Sequence, residues 1–570
     1  MLFDMVGMLN YNMERLETRI DKLSTQLLPN LSFPRLEISG FELANRPMDS
    51  PCHNDPNYSL RSMTSPHTQS TNPTATKSSP ESALSFSVHQ TVHWPGVQAI
   101  LPTDLATVAR SLEPAYHTRL ELTRPPLNSS VPAESRAKGL DWLASLSLSC
   151  VKELSNAYFD TFNRLYPLID RDLYFHTTLA QVVREGFGHD AATCLVLNVM
   201  ALGSMGIRAQ DHEGPLDTFH AVRRQPIVRE ILDEEPCGLS FFNEASKRFG
   251  VCLCLHDIES CQYYMTSALY FMQIMRPVDT WVMINRAAVS LTTFLKFPSE
   301  IDTWVVDMQS RLFWSASLLE AIIVQELELP QSRLKDWEEV VPLPTFITYP
   351  DMSKFRSKRN TEDVYYHYNF LAQIAHRIVL SRIRDELFCN NPSTALADEL
   401  RHQLDQWRDS QPDLLKILDN HTRADEAKCP THAMAIKLLQ TRYRVGVYHI
   451  GRPFLYKAIH QPASISEVDL KVCAEALNFA MDWPLFTVDV SVKDFMPLKY
   501  FGASQFFGQL LILYAFQNSP HARIRDVLPP KYTTWCTKML DFMSLVVESN
   551  PTISKDLELV SALYQYPTRT

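Results

Sequence analysis

The sequence predicts an all-α protein: a large body of stacked antiparallel helices, preceded by a coiled-coil helix and a disordered linker. Three observations carry that prediction. Of 570 residues only 15 are glycine, too few for the hairpins, barrel corners and phosphate-cradling loops that need positive φ or close backbone approach. From about Leu140 to Tyr566, apolar residues recur at helical spacing in long segments separated by short polar breaks. Strand signals are few and short.

The first element is a heptad seam. Leu2, Val6, Leu9, Met13, Leu16, Ile20, Leu23 and Leu27 alternate at steps of four and three, with Val6, Met13, Ile20 and Leu27 at a and the four leucines Leu2, Leu9, Leu16 and Leu23 at d. Leucine at every d suits a parallel pair. The flanks would place Arg19 opposite Ser24 and Asn12 opposite Glu17, so no opposite-charge pair fixes the partner. Residues 1–28 therefore read as a homodimer or heterodimer zipper, or else as a surface helix packed on its own core. Pro29 ends it.

Between Pro29 and Pro132 the composition shifts to Pro, Ser, Thr and Asn, as in the run from Ser62 to Pro80. Such a segment has too little apolar surface to offset an ordering cost of about 1–2 kcal/mol per residue. Residues 29–135 are expected to be a disordered linker, with a short helix at 97–120 that can dock on the body.

Residues 140–566 form the body. Tyr264, Ala268, Leu269, Met272 and Met275 make one helical stripe, broken at Arg276-Pro277 because proline lacks a donor and clashes with the preceding turn. Trp281, Ile284, Ala288, Leu291 and Leu295 make a second, with Asp279 placed to cap it. Met308, Leu312, Ser315, Leu319 and Ile322 make a third. Two antiparallel helices joined by a short turn, then another, describe a stacked array.

The formal charge of −10 at pH 7 repels nucleic acid at long range. The densest basic run, Lys354 to Arg359, reads as a solvated loop, with a nuclear-import signal as the alternative. Eleven cysteines scattered through apolar stretches fit free thiols in a reducing compartment. The closest approach to a bilayer-spanning run, Leu312 to Pro330, carries Glu320, Glu326 and Glu328 and reads as an amphipathic helix. A soluble chain with no membrane partner is expected.

Catalytic constellations do not emerge, and no enzyme, catalytic residue, cofactor or metal is expected. Asp233-Glu234-Glu235-Pro236 is the nearest thing to a magnesium-binding run, but its carboxylates are consecutive rather than spaced to one helical face, and a capping or solvated role fits better. Cys252, Cys254, His256 and Cys261 fall within ten residues. Interleaved Leu253 and Leu255, and a helix starting at Asp257, favour structural cysteines over zinc ligands. Tyr263, Tyr264, Tyr270, Phe271 and Met272 read as core, with a pocket wall as the alternative.

One set of residues carries a family resemblance. Tyr158-Phe159-Asp160-Thr161-Phe162-Asn163-Arg164-Leu165-Tyr166-Pro167 resembles the opening helix and corner of the middle homology region of fungal zinc-cluster transcription factors, and Ala201-Leu202-Gly203 resembles its next small-residue segment. The run from Tyr270 to Pro277, with Arg276, Pro277 and then Trp281, is similar to the family's helix, Gly-Arg-Pro turn and Ala-Trp helix. Arg311-Leu312-Phe313-Trp314 is similar to its Arg-Arg-Leu-Phe-Trp helix, and Gly451-Arg452-Pro453-Phe454-Leu455 to a later landmark. Asp170 stands where the family often has His, Asp172 where it has Pro, and Met275 where it has Gly.

The resemblance spans some 300 residues and implies a nuclear transcription regulator of a metabolic or secondary-metabolite pathway. It implies pairing through residues 1–28 with its own copy or a related factor, contacts with the transcription machinery, and a small-molecule effector. In the family a zinc cluster precedes the coiled coil, whereas here the heptads begin at Met1. Zinc is therefore expected only with an upstream cluster, and DNA contact only through such a domain or a partner. A cytoplasmic helical scaffold and an all-helical enzyme are the rival expectations.

Overall fold

The computed structural model describes residues 84–132, 142–211, 219–298, 302–349, 360–412, 415, 429–486 and 495–565. The heptad seam and the Lys354 to Arg359 run lie outside the described residues. The helical body is the compact unit Glu81–Thr570. Among the described residues the regular structure is helical, with an isolated bridge at Cys389 and no strand. The all-α prediction holds.

In chain order the principal helices are α1 (Thr103–Ser111), α2 (Tyr116–Leu122), α3 (Leu148–Asp160), α4 (Ala191–Asp211), α5 (Leu239–Phe249), α6 (Ile258–Gln273), α7 (Pro277–Lys296), α8 (Thr303–Leu327), α9 (Asn360–Arg382), α10 (Thr394–Asp409), α11 (Pro430–His460), α12 (Glu467–Ala480), α13 (Lys499–Gln517), α14 (Tyr532–Val546) and α15 (Pro551–Gln565). Their starts follow capping chemistry. Ser147 accepts from the Cys150 amide to begin α3, Asp257 from Ser260 at 2.7 Å to begin α6, and Asp302 from Trp304 to begin α8. Ser466 and Asp469 close a reciprocal capping box on α12. Asp279 is not the expected cap of α7: Arg276 holds that position, Pro277 occupies the first turn, and Asp279 pairs with the Arg276 guanidinium.

The α6–α7 pair is an antiparallel hairpin, with His256 before α6 approaching Ser290 near the end of α7 at 3.4 Å. The pair α11–α12 repeats the arrangement, tied by Arg444 to Asp482 and Lys457 to Asp469 at 2.9 Å. Helices α4, α8 and α13 are buried nearly all round, as expected of helices without a polar face. A Cβ on Gly203 of α4 would lie 2.0 Å from the Leu154 carbonyl oxygen of α3, so only glycine permits that crossing.

Four expectations are corrected here. The linker does not extend to residue 135: from Leu84 to Pro132 the chain packs on the body, and Phe86, Val88, Val92, Trp94 and Val97 are core residues. In place of one helix at 97–120, a turn at Pro95–Gln98 and then α1 and α2 follow one another. Helix α8 is not amphipathic, because Glu320 and Glu326 are buried within the body. Finally, an apolar run of membrane-spanning length does occur in α4, Ala191–Gln210, but 94% of that window is buried as a core helix.

Candidate functional site

The family-like residues are architectural, and they share a task. Tyr158, Phe159, Phe162, Tyr166 and Pro167 are buried where α3 ends. Asn163 closes the corner, its amide side chain donating to the Ile169 carbonyl and accepting from the Ile169 amide, both at 3.0 Å. Asp170 then takes four donors: the Asp172, Leu173 and Tyr349 amides and the Trp304 indole. At the second landmark, the Arg276 guanidinium donates to the Pro125 carbonyl at 2.6 Å, and Arg124 returns a hydrogen bond of the same length to the Met275 carbonyl. Met275 itself is left-handed, with φ of 56°, at the position where the resembled family has glycine.

The third landmark clasps the irregular segment after α8. Arg311 donates to the Ile347 carbonyl at 2.8 Å and Trp314 to Pro342 at 3.1 Å, while Trp281 of α7 donates to Pro330 at 3.0 Å. Asp307, one turn before Arg311 and paired with it, accepts from the Thr345, Phe346 and Ile347 amides. Leu312 and Phe313 face the core. At the fourth landmark Pro453 and Phe454 are buried in α11, and Arg452, with no exposed surface, donates to the Phe86 and Ser87 carbonyls. Three arginines from three landmarks thus bind backbone carbonyls of non-helical segments to the helical body.

Arg452 borders a buried polar centre that the sequence did not reveal. His89 Nε2 lies 3.0 Å from Asp556 Oδ2, and Tyr116 donates to the other oxygen of that carboxylate. His117 stacks on His89 with ring centroids 4.3 Å apart. Glu326 of α8 accepts from the Gln505 amide of α13, and Glu121 of α2 accepts from Thr552 of α15 at 2.7 Å.

Burial opposes charge on His89, but Asp556, with Glu326 and Glu121 beyond it, outweighs burial and raises its pKa. Burial, with His89 and His93 nearby, lowers that of His117, which stays neutral. Burial pushes the Glu326 carboxyl up to about 7 against the pull of His89, Gln505 and Arg452. Burial likewise lowers the Arg452 pKa. These groups lie scattered from residue 89 to 556 in sequence, with no local spacing to announce them.

A cleft of about 510 Å³ opens where the starts of α6 and α8 meet the chain after α3. Glu259, Gln262 and Trp304 line it, together with Leu173, Ile258 and Phe294. The Thr178 hydroxyl donates to Glu259 at 3.3 Å. Burial, joined by Asp257 and Asp190, raises the Glu259 pKa.

The cysteine cluster disperses. Cys261 is buried in α6, Cys254 is exposed, and Cys252 donates to the His189 carbonyl at 3.6 Å. Among the described residues no group of three or more His, Cys, Asp or Glu side chains is placed to hold a metal ion. Glu234 of the acidic run accepts from the Ser240 amide at 2.8 Å and so caps the first turn of α5. The aromatic and methionine stripe is core: Tyr263 stacks on Phe249 at 3.7 Å, and Tyr270 on Phe242 at 4.2 Å. Met272 borders a void of about 20 Å³, room for one water and no metabolite. No protein-family model matches the chain, and no curated protein matches its sequence.

Proposed function

We propose that this chain is a regulator of transcription resembling the fungal zinc-cluster factors, acting in the nucleus through its helical body. One observation carries the reading. The residues of the resemblance fall on the clasps of the fold, with Arg276, Arg311 and Arg452 each holding a carbonyl of an irregular segment, and Met275 takes a glycine-like backbone where the family has glycine.

In this reading the body relays a signal, a small-molecule effector among the candidates, to the transcription machinery. The segment 1–28 pairs with a second copy or a related factor, which contributes to contact with DNA. The controlled genes belong to a metabolic or secondary-metabolite pathway.

The test is chromatin immunoprecipitation of the tagged full chain from a fungal host, with fluorescence localisation of the same chain. Nuclear signal and promoter enrichment support the reading. A chain held in the cytoplasm with no promoter enrichment overturns it in favour of a scaffold. A parallel capture experiment with Met1 to Leu28 as bait, recovering neither its own copy nor a related factor, overturns the pairing.

A further inference from the structure

The cleft at the start of α6 presents two hydrogen-bond acceptors with capacity left by their protein donors, beside an apolar wall. Gln262 is only 4% exposed. Its amide nitrogen is fixed, donating to the Leu168 carbonyl at 2.9 Å and to the Met308 sulfur at 3.7 Å. The amide oxygen accepts no hydrogen bond among the described residues, and Gln262 lines the cleft. Facing the cleft, that oxygen is free to accept from a ligand that enters it. One turn earlier, half-buried Glu259 takes a single long hydrogen bond from Thr178, and no Lys or Arg lines the cleft. Helix capping accounts for Asp257, but it leaves Gln262 and the second Glu259 oxygen unexplained.

We propose that this cleft binds a small organic ammonium ion, an amine with an apolar body, whose N–H donors are taken by Glu259 and Gln262. The positive charge meets a carboxylate with no Lys or Arg beside it. Leu173, Ile258, Phe294 and Trp304 provide the apolar wall, and the indole and phenyl faces suit a cation. A metal ion is disfavoured by geometry: although Asp170 and Asp257 also line the cleft, among the described residues no three His, Cys, Asp or Glu side chains converge to hold one. The volume matches a ligand-sized cavity. This inference goes beyond the regulatory reading and stands without it, since binding is measured on the purified chain.

Calorimetric titration of the full chain with phenethylammonium, agmatine and spermidine, against neutral 2-phenylethanol, tests it. At least one ammonium probe is expected to bind with Kd at or below about 1 mM. Binding should survive about 0.5 M NaCl, which screens adventitious association with an acidic surface. The alcohol should bind at least roughly tenfold more weakly than its amine. E259Q should weaken the ammonium roughly tenfold with an unchanged melting transition, and Q309L, at Gln309, which also lines the cleft, should weaken it less. Should E259Q fail to fold, the amine–alcohol comparison and the salt series on the unaltered chain decide. Equal binding of amine and alcohol, loss of all binding in salt, or no binding by any ammonium probe overturns the proposal.

Discussion

Met275 holds a backbone conformation that its side chain resists. A left-handed residue with a Cβ costs about 1–2 kcal/mol relative to glycine, yet Met275 is almost fully buried and its carbonyl accepts from both Arg124 and Asn550. Replacement by glycine alone would confound strain with lost burial, so the informative comparison is M275G against M275A. M275G should be the more stable by about 1 kcal/mol in denaturant melts; equal stabilities would remove strain from the account.

Glu326 supplies a pH prediction. Its carboxyl is held at about 7 by burial, so the unfolded chain releases this proton at lower pH than the folded one. The stability from the neutral carboxyl is whole below about 4.5 and is lost as pH rises towards 7. His89, whose pKa is also raised, adds a loss in the same direction as pH climbs above about 6.5. E326Q should therefore flatten the decline in unfolding free energy between about pH 5 and 8 by an amount on the order of 3 kcal/mol. An unchanged pH profile would show that Glu326 is ionised in the fold.

At the scale of elements, the clasped segments are the points of leverage. Asp307 satisfies three backbone amides and pairs with Arg311. D307A should cost about 3–5 kcal/mol, because it leaves a buried guanidinium without its counter-charge and three amides without their acceptor. Arg452 anchors the segment from Phe86 to Ser87 in the same way. R452M should raise amide exchange across residues 84–93 before it does so in α4 or α13, which hydrogen-exchange mass spectrometry would detect. Uniform exchange throughout would mean that the segment and the helices open together.

The crossing of α3 and α4 makes the opposite kind of test. G203A inserts a methyl against the Leu154 carbonyl and should cost about 1–3 kcal/mol through overpacking. An alanine tolerated without loss would require α3 to shift.

At the scale of the whole molecule, the body is one compact unit from Glu81 onward, and its first described segment, 84–132, belongs to it rather than to a tether. Truncation to Glu81 should preserve the body's melting transition. Truncation to Asp141 should lower it sharply, because it uncovers Arg452, Glu326 and Asp556 and removes hydrogen-bond partners of the Arg452 guanidinium, the Glu326 carbonyl and the Asp556 carboxylate. A fully retained transition in the shorter chain would make residues 84–132 an ornament.

How much of this was legible beforehand varies with range. Fold class, the break at Arg276-Pro277, the helix start at Asp257 and the core role of Tyr263 to Met272 follow from local composition and spacing, because helices are built from contacts three and four residues apart. The cap at Asp279 was misplaced because Arg276 and Pro277 compete for the same turn. The packing of residues 84–132 was not legible. Their polar residues resemble a linker in isolation, and their hydrogen-bond partners, Arg452, Glu328 and Asp556, lie more than 200 residues away. The sequence alone determined that the chain would be helical and where many of its helices break, since those choices are settled by neighbouring residues. Only the tertiary structure decided which glutamates of α8 are buried, which arginines clasp carbonyls, and that Gln262 lines a cleft with its oxygen unmet, because each depends on groups that folding brings together from distant parts of the chain.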